Sequence, residues 1–330
     1  MNNGLSITSA GEARLLIRAI GKSDIVVVAV VRNEGLRLPA FLDYYRGLGV
    51  NRFLIVDNQS DDDSPEFLDE QSDVVRFLAA GSYAASACGV DWTNFVTLAH
   101  AQDRWVVTGD ADELLVYPRS ESRSLHELVA ALEQPGANAL KAPMLDMYAD
   151  GQIAESRYTA GESLLESFPF YDSDGYEWAD KGSLPMIVRG GPRKRLFWTP
   201  FNRDHQSPYL MKVPLFKWAR SSPYTMSTHL VQNAVFTRIS GLLLHFKLGP
   251  DFIARAEEET ARGEHFAGAR QYRAYHEGVS SASALTAMYE GSQRWAGTEA
   301  AVRQGLMHDQ IGFSATPPDQ KRSPHGKVDT

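Results

Sequence analysis

The run Ile25-Val26-Val27-Val28-Ala29-Val30-Val31 constrains the fold more than any other feature of this chain. Its residues are almost all β-branched, which suits the pleated surface of a strand and costs side-chain freedom in a helix. No polar residue interrupts it, so neither face of the strand can be left to water. Such a strand belongs in the middle of a parallel sheet covered by helices on both sides. The run is far shorter than the roughly 18 apolar residues that cross a bilayer, and no other stretch reaches that length.

The pattern then repeats. Residues 38–48 have helical spacing, with Gly49 behind them as a C-cap. Residues 52–56 read as a second strand, 65–70 as a short helix, 74–78 as a third strand, 92–102 as a helix and 105–109 as a fourth strand. Alternation with short connections predicts right-handed crossovers and an α/β fold, a Rossmann-like, mostly parallel sheet flanked by helices. Upstream, 12–20 reads as a short amphipathic helix packed on the domain. Downstream, Ser124 and Glu127 have capping-box spacing at the start of a helix to Leu132. Later strands are expected at 139–148 and 241–247, and charged helices at 251–263 and 267–276. Between 150 and 223 the pattern breaks into short pieces rich in Gly, Pro, Tyr and Trp, the mark of functional loops or lids. No internal repeat is present.

Composition removes several function classes. The 330 residues, 43% hydrophobic and 22% charged, are enough to bury a large core. A net charge of -8 argues against binding nucleic acid by bulk electrostatics. A single cysteine, Cys88, excludes an intramolecular disulfide framework and a cysteine-based zinc site, and fits a reducing compartment. The N-terminus lacks the basic start, apolar core and small-residue cleavage site of a secretory leader. The expectation is a cytoplasmic protein, with at most peripheral contact at the inner membrane face.

Chemistry is concentrated in Trp105-Val106-Val107-Thr108-Gly109-Asp110-Ala111-Asp112-Glu113-Leu114-Leu115. On a continuing strand, Asp110 and Asp112 would point to the same side. Two adjacent carboxylates repel unless a cation or proton sits between them. All-oxygen donors favour a hard divalent ion, Mg or Mn, and such ions commonly carry substrate phosphates. The spacing alone is weak, since Asp61-Asp63 and Asp172-Asp174 repeat it. Its place after the fourth strand distinguishes it. Arg32-Asn33-Glu34, Asp57-Asn58 and Asp110-Asp112 all fall at carboxyl ends of parallel strands, where ligands of such sheets collect.

Several blocks together resemble a known family. Val30-Val31-Arg32-Asn33-Glu34, Phe41-Leu42-Asp43-Tyr44-Tyr45, Leu48-Gly49-Val50 and Ile55-Val56-Asp57-Asn58-Gln59-Ser60-Asp61-Asp62 resemble the opening of family 2-like glycosyltransferases. Asp110-Ala111-Asp112-Glu113 resembles that family's Asp-x-Asp segment in a bacterial subgroup related to family 92. Gly190-Gly191-Pro192-Arg193-Lys194-Arg195-Leu196-Phe197, Lys212-Val213-Pro214-Leu215, Ser227-Thr228-His229 and Leu243-Leu244-His245-Phe246-Lys247 are similar to the same subgroup. The likeness runs from about 25 to 275 and is weakest over 150–183. It implies a GT-A fold. On that reading 1–23 form an N-terminal helical extension and 24–313 a single domain, divided into a nucleotide-sugar half (24–118) and an acceptor half (119–313). The polar, proline-containing stretch 314–330 is expected to be a disordered tail.

The resemblance also implies transfer of a sugar from a nucleotide diphosphate sugar to an acceptor hydroxyl, with inversion, on a glycan or lipid-linked acceptor of cell-envelope polysaccharide or lipopolysaccharide synthesis. Asp110 and Asp112 would bridge Mn or Mg to the diphosphate, Asp112 as the direct ligand and Asp110 nearer the ribose. His245 is the expected further metal ligand, with His229 its competitor. Arg32, Glu34, Asp57 and Asn58 are candidate nucleotide contacts, as are Lys247 and the arginines of Arg193-Lys194-Arg195, whose forks match phosphate oxygens. Asp57 and Asn58 also suit a plain turn. Inversion needs a base for the acceptor proton, and the candidates are Asp174 first, then Asp172, Glu177 and Asp180. Two other classes stay open: a sugar nucleotidyltransferase, against which Arg32-Asn33-Glu34-Gly35-Leu36 makes a poor phosphate loop, and a non-catalytic module binding nucleotide sugar or glycan.

Overall fold

The computed structural model describes residues 4–7, 10–180, 185–203, 205–219, 223–225, 227–281 and 284–309. The chain opens with the short strand β1 (Leu5–Ile7) and helix α1 (Ala10–Arg18). Strand and helix then alternate through β2 (Val26–Val31), α2 (Leu38–Gly47), β3 (Arg52–Asp57), α3 (Ser64–Asp69), β4 (Val74–Ala79), α4 (Val90–His100) and β5 (Trp105–Thr108). The turn 109–112 leads to β6 (Glu113–Val116), followed by α5 (Leu125–Glu133) and β7 (Ala139–Asp146). The middle of the chain holds α6 (Leu164–Ser167), β8 (Phe170–Asp172), β9 (Glu177–Asp180), β10 (Pro185–Arg189) and α7 (Gly191–Phe197). Then come β11 (Met211–Lys217), β12 (Leu242–His245), α8 (Phe252–Arg262), α9 (Phe266–Ser280), β13 (Ser292–Arg294) and α10 (Thr298–Arg303).

Nine strands form one sheet in the order β1-β4-β3-β2-β5-β11-β7-β12-β6. β2, β3, β4 and β5 run parallel. β11 is antiparallel to both β5 and β7, so β7 recovers the direction of β5 and β12 runs with it. β1 and β6 are antiparallel on the two edges. The fold is therefore α/β with a mostly parallel sheet flanked by helices.

The valine run does what its composition requires. Ile25, Val27, Ala29 and Val31 enter one core with Phe41, Leu42 and Tyr45 of α2 and Leu125, Leu128 and Leu132 of α5. Val26 and Val28 enter the other with Ala13 of α1 and Trp92 and Val96 of α4. Fully burying each large apolar side chain contributes about 1.5–3 kcal/mol, so both faces of this strand help to fix the sheet. α2 ends where expected: Gly49 takes φ +94 and donates its N–H to Arg46 O, 3.0 Å away. Ser124 and Glu127 form the capping box.

Three strands of the nine-stranded sheet escape sequence reading. β1 is too short to carry a period. β6 lies beyond the strand expected at 105–109, in residues read only as part of the acidic motif. β11 lies inside the stretch expected to be irregular, because Pro214 and the lysines at 212 and 217 mask its buried pattern. No helix among the described residues is long and apolar enough to cross a membrane. The tail 314–330 lies outside the described residues.

Candidate functional site

Between β5 and β6 the backbone turns sharply, closed by Glu113 N–H donating to Asp110 O at 3.0 Å. Asp110 and Asp112 therefore flank a turn and do not share a strand face, a correction to the expected geometry. Asp110 keeps 57% of its side chain exposed, whereas Asp112 is 5% exposed. Phe246 N–H holds Asp112 O at 2.8 Å, fixing the turn against the end of β12. On β12, His245 stands opposite Glu113 of β6 on one side and Asp146 of β7 on the other.

This register brings Asp112, Glu113 and His245 together, all buried, with one potential ligand atom of each within 4.8 Å of the others. His245 Nε2 lies 3.4 Å from Asp112 Oδ2, and its Nδ1 lies 2.5 Å from Asp146 Oδ1. A proton on Nδ1 shared with Asp146 leaves Nε2 turned toward Asp112, the orientation a metal-binding imidazole needs. Asp146 is itself held by Arg193 Nε at 2.8 Å. Burial alone would raise the pKa of Asp112, but the positive fields of His245 and Lys247 hold it well below the usual carboxylate range. Glu113 goes the other way: burial raises its pKa, and the charges of Asp110 and Asp112 add to this against the pull of Lys212. His245 is raised despite burial, because Asp112 and Asp146 favour its charged form.

Two buried acids and an imidazole make a mixed oxygen and nitrogen donor set that could hold a divalent cation. His245 joins Asp112 as the sequence suggested. Asp110 does not join the trio, and Glu113 takes its place. His229 is also apart: its Nδ1 pairs with the carbonyl of Met211, and burial lowers its pKa to about 4.

Beside Asp112 opens a small cleft lined by Arg37, Lys247, Phe252, Arg255 and Tyr272. Lys247 Nζ lies 3.6 Å from Asp112 Oδ2 and 3.2 Å from the Tyr272 hydroxyl. Arg255 Nη2 binds Glu34 at 2.5 Å, while its Nη1 makes no hydrogen bond and lies 3.6 Å from Asp251 Oδ2. Arg37 is held by Asp251 at 2.5 Å and by Glu34 at 3.4 Å. Glu34 thus orients two arginines, and Arg37, Arg255 and Tyr272 join the site without a sequence signal of their own.

The other expected nucleotide contacts are engaged with the protein. Asp57 pairs with Arg76 at 3.0 Å and accepts Ser60 N–H at 2.9 Å. Asn58 donates to the carbonyls of Ala79 and Gly81, each at 3.0 Å. Arg32 donates to Asn58 O at 3.1 Å and to Gln59 O. These residues build the loops at the ends of β2, β3 and β4.

The basic cluster lies on α7, and its anions are the protein's own. Arg193 binds Asp146, Lys194 binds Glu177, and Arg195 binds Asp172 at 2.9 Å while stacking 4.0 Å over Tyr289. The expectation that Arg193 and Arg195 face a ligand phosphate is thereby corrected. Asp172 is fully occupied by Arg195 and the Tyr148 hydroxyl at 2.7 Å, with burial raising its pKa. Glu177 is exposed and tied to Lys194. Asp174 is exposed, accepts the Tyr289 hydroxyl at 2.7 Å, and has no cationic partner among the described residues. Asp180 ends β9, but its side chain lies outside the described residues.

No protein-family profile matches this chain, and no curated protein does. Among solved structures it is similar to the crystal structure of 4-diphosphocytidyl-2C-methyl-D-erythritol synthase, with 14% identity over 60% of this chain and 76% of that one. The TM-score is 0.29. An overlap this partial bears on no residue of the site.

Proposed function

We propose that this chain is a metal-dependent glycosyltransferase that moves a sugar from a nucleotide diphosphate sugar to an acceptor hydroxyl. The observation that carries the reading is Asp112, buried at a strand-end turn, facing His245 Nε2 and opening onto a cleft lined by Lys247 and Arg255. Asp112 and His245 would hold the ion. Bound there, Mn or Mg offsets negative charge on the departing nucleoside diphosphate. Lys247 Nζ and Arg255 Nη1, which makes no hydrogen bond and lies 3.6 Å from Asp251, are donors for phosphate oxygens, and the Tyr272 hydroxyl beside Lys247 completes that wall. Asp110, exposed on the turn, is assigned to the ribose side of the donor. Asp174 is assigned the acceptor proton, with inversion at the sugar carbon, because among the base candidates whose side chains are described it is exposed and lacks an ion-pair partner, its carboxylate accepting the Tyr289 hydroxyl. The family resemblance supports a glycan or lipid-linked acceptor of cell-envelope synthesis, on the cytoplasmic side and at most peripheral to the membrane.

The test is release of nucleoside diphosphate from a panel of uridine, guanosine and thymidine diphosphate sugars with Mn, with and without chelator. Turnover with one donor series that the chelator abolishes is expected. Absence of both turnover and binding across the panel would sink the reading. Pyrophosphate release from a nucleoside triphosphate and a sugar phosphate would move it to nucleotidyl transfer. Metal-independent binding with no transfer would leave a binding module.

A further inference from the structure

Lys212 has no part in the chemistry above, yet it reaches the centre of the site. It is 7% exposed, and its Nζ lies 2.6 Å from Glu113 Oε1 and 3.0 Å from Asp110 Oδ2. The other oxygen of Glu113 lies 3.3 Å from Asp110 N–H, so the whole carboxylate is engaged. Asp112 is held far more loosely, by His245 at 3.4 Å and Lys247 at 3.6 Å. The backbone is built to deliver this lysine. β11 shifts register against β7 between Lys212 and Leu215, around Pro214, which cannot donate to the ladder. Shifts of this kind re-aim side chains beside active sites.

Resting on the metal reading above, we propose that Lys212 is an internal counter-cation that withholds Asp110 and Glu113 from the ion. Among the described residues the protein by itself then offers Asp112 and His245. Divalent ions of this class take about six ligands, so most positions fall to water and to oxygens of a bound diphosphate. Ion and nucleotide accordingly bind as a unit, each raising the affinity for the other by the same factor. Lys212 is a positioning residue. Removing it releases two carboxylates into the metal site, so the bare protein gains affinity for the ion and loses its dependence on nucleotide. A lysine with a merely structural role would, on removal, weaken ion binding.

The full chain is titrated with Mn alone, and with Mn plus UDP or GDP, reading free Mn by electron paramagnetic resonance. Wild type is expected to bind Mn weakly alone and more tightly with one nucleotide. Lys212→Met should bind Mn alone at least about tenfold more tightly, since a cation beside a divalent ion is removed. Lys212→Gln, which keeps a hydrogen-bond donor but no charge, should do the same and covers the case in which the methionine variant does not fold. Adding Glu113→Gln to either variant should return affinity toward wild type. Unchanged or weaker Mn binding in the folded lysine variants, with wild type still binding Mn and nucleotide together, overturns the role of Lys212 alone. Equal Mn affinity of wild type with and without nucleotide also overturns it. No Mn binding by wild type under either condition overturns the metal reading and this inference with it.

Discussion

Asp57 and Asp112 each stand at the carboxyl end of a parallel strand, each is buried, and each faces cations. Their surroundings differ in completeness. Asp57 has an Arg76 nitrogen at 3.0 Å and a backbone N–H at 2.9 Å, both ordinary hydrogen-bond lengths. Asp112 has an imidazole nitrogen at 3.4 Å and an ammonium at 3.6 Å, both longer than a good hydrogen bond. A buried carboxylate is costly unless its lone pairs are satisfied. The end of β3 satisfies its carboxylate with protein groups, whereas the turn after β5 leaves room for something else. Strand-end position attracts polar residues in both cases, and only incomplete satisfaction separates a site from a brace.

The largest effect that could break this contrast comes from the two aspartates themselves. Asp112→Ala should lower donor turnover by about a thousandfold, the loss of several kcal/mol of charge stabilisation, with little change in melting. Asp57→Asn should do the reverse. Turnover should stay near wild type while urea denaturation shows a loss of about 2 kcal/mol. That is below the usual cost of stranding a buried charge, because Arg76 keeps Asp69. If Asp57→Asn proves the more damaging to turnover, the braced strand end is the site and the contrast fails.

His229 tests the neutral side of the same region. Burial lowers its pKa from 6.5 to about 4, and the nearby charge of Lys212 adds to this. The unfolded chain therefore binds a proton that the folded chain refuses between those values, so stability rises with pH across that window and is level above it. Acidification from pH 6.5 to 4 should remove at most about 3 kcal/mol through this group, and less after allowance for its partial exposure. His229→Asn should flatten that part of the stability profile in urea titrations at several pH values. An unchanged slope would mean that the imidazole accepts its proton in the folded chain.

Asp146 sharpens the contrast from the metal side. Its carboxylate fixes the imidazole of His245 from behind, so Asp146→Asn should weaken Mn binding by roughly 10–100-fold while leaving Asp112 in place. Equal Mn affinity in the variant, measured by calorimetry with nucleoside diphosphate present, would show that the β12 backbone alone orients the ring.

Much of this was legible in the residues. The continuous apolar run at 25–31, the capping box at Ser124 and Glu127, and Gly49 behind α2 each state a local physical requirement that tertiary structure then met. Asp112 and His245, the proposed metal ligands, stand in ordered motifs far apart in sequence. Glu113, Asp146 and Lys212 were not assigned roles, because each acquires its partner only through pairing between strands distant in sequence: β6 on β12, β12 on β7, β11 on β5 and β7. The arginines of α7 misled for the same reason. A basic cluster beside glycines looks like a phosphate grip until Asp146, Glu177 and Asp172 arrive from elsewhere to neutralise it.

Glu177 gives the smallest effect and the cleanest check on that last point. Its side chain is 50% exposed and that of Lys194 32%, so the pair is screened by water on both sides. Exposed pairs of this kind typically contribute about 0–1 kcal/mol, because holding two flexible chains together offsets most of the attraction. Glu177→Gln should leave melting within that range and turnover near wild type. Asp174→Asn, in the turn just before β9 and without a cationic partner among the described residues, should lower turnover while leaving donor binding intact. The two variants differ in chain position by three residues and in chemistry by one ion pair. If Glu177→Gln lowers turnover and Asp174→Asn does not, ion pairing within the protein is no guide to which of these two carboxylates works. The reasoning that separates Asp112 from Asp57 would then hold only for groups buried in the sheet.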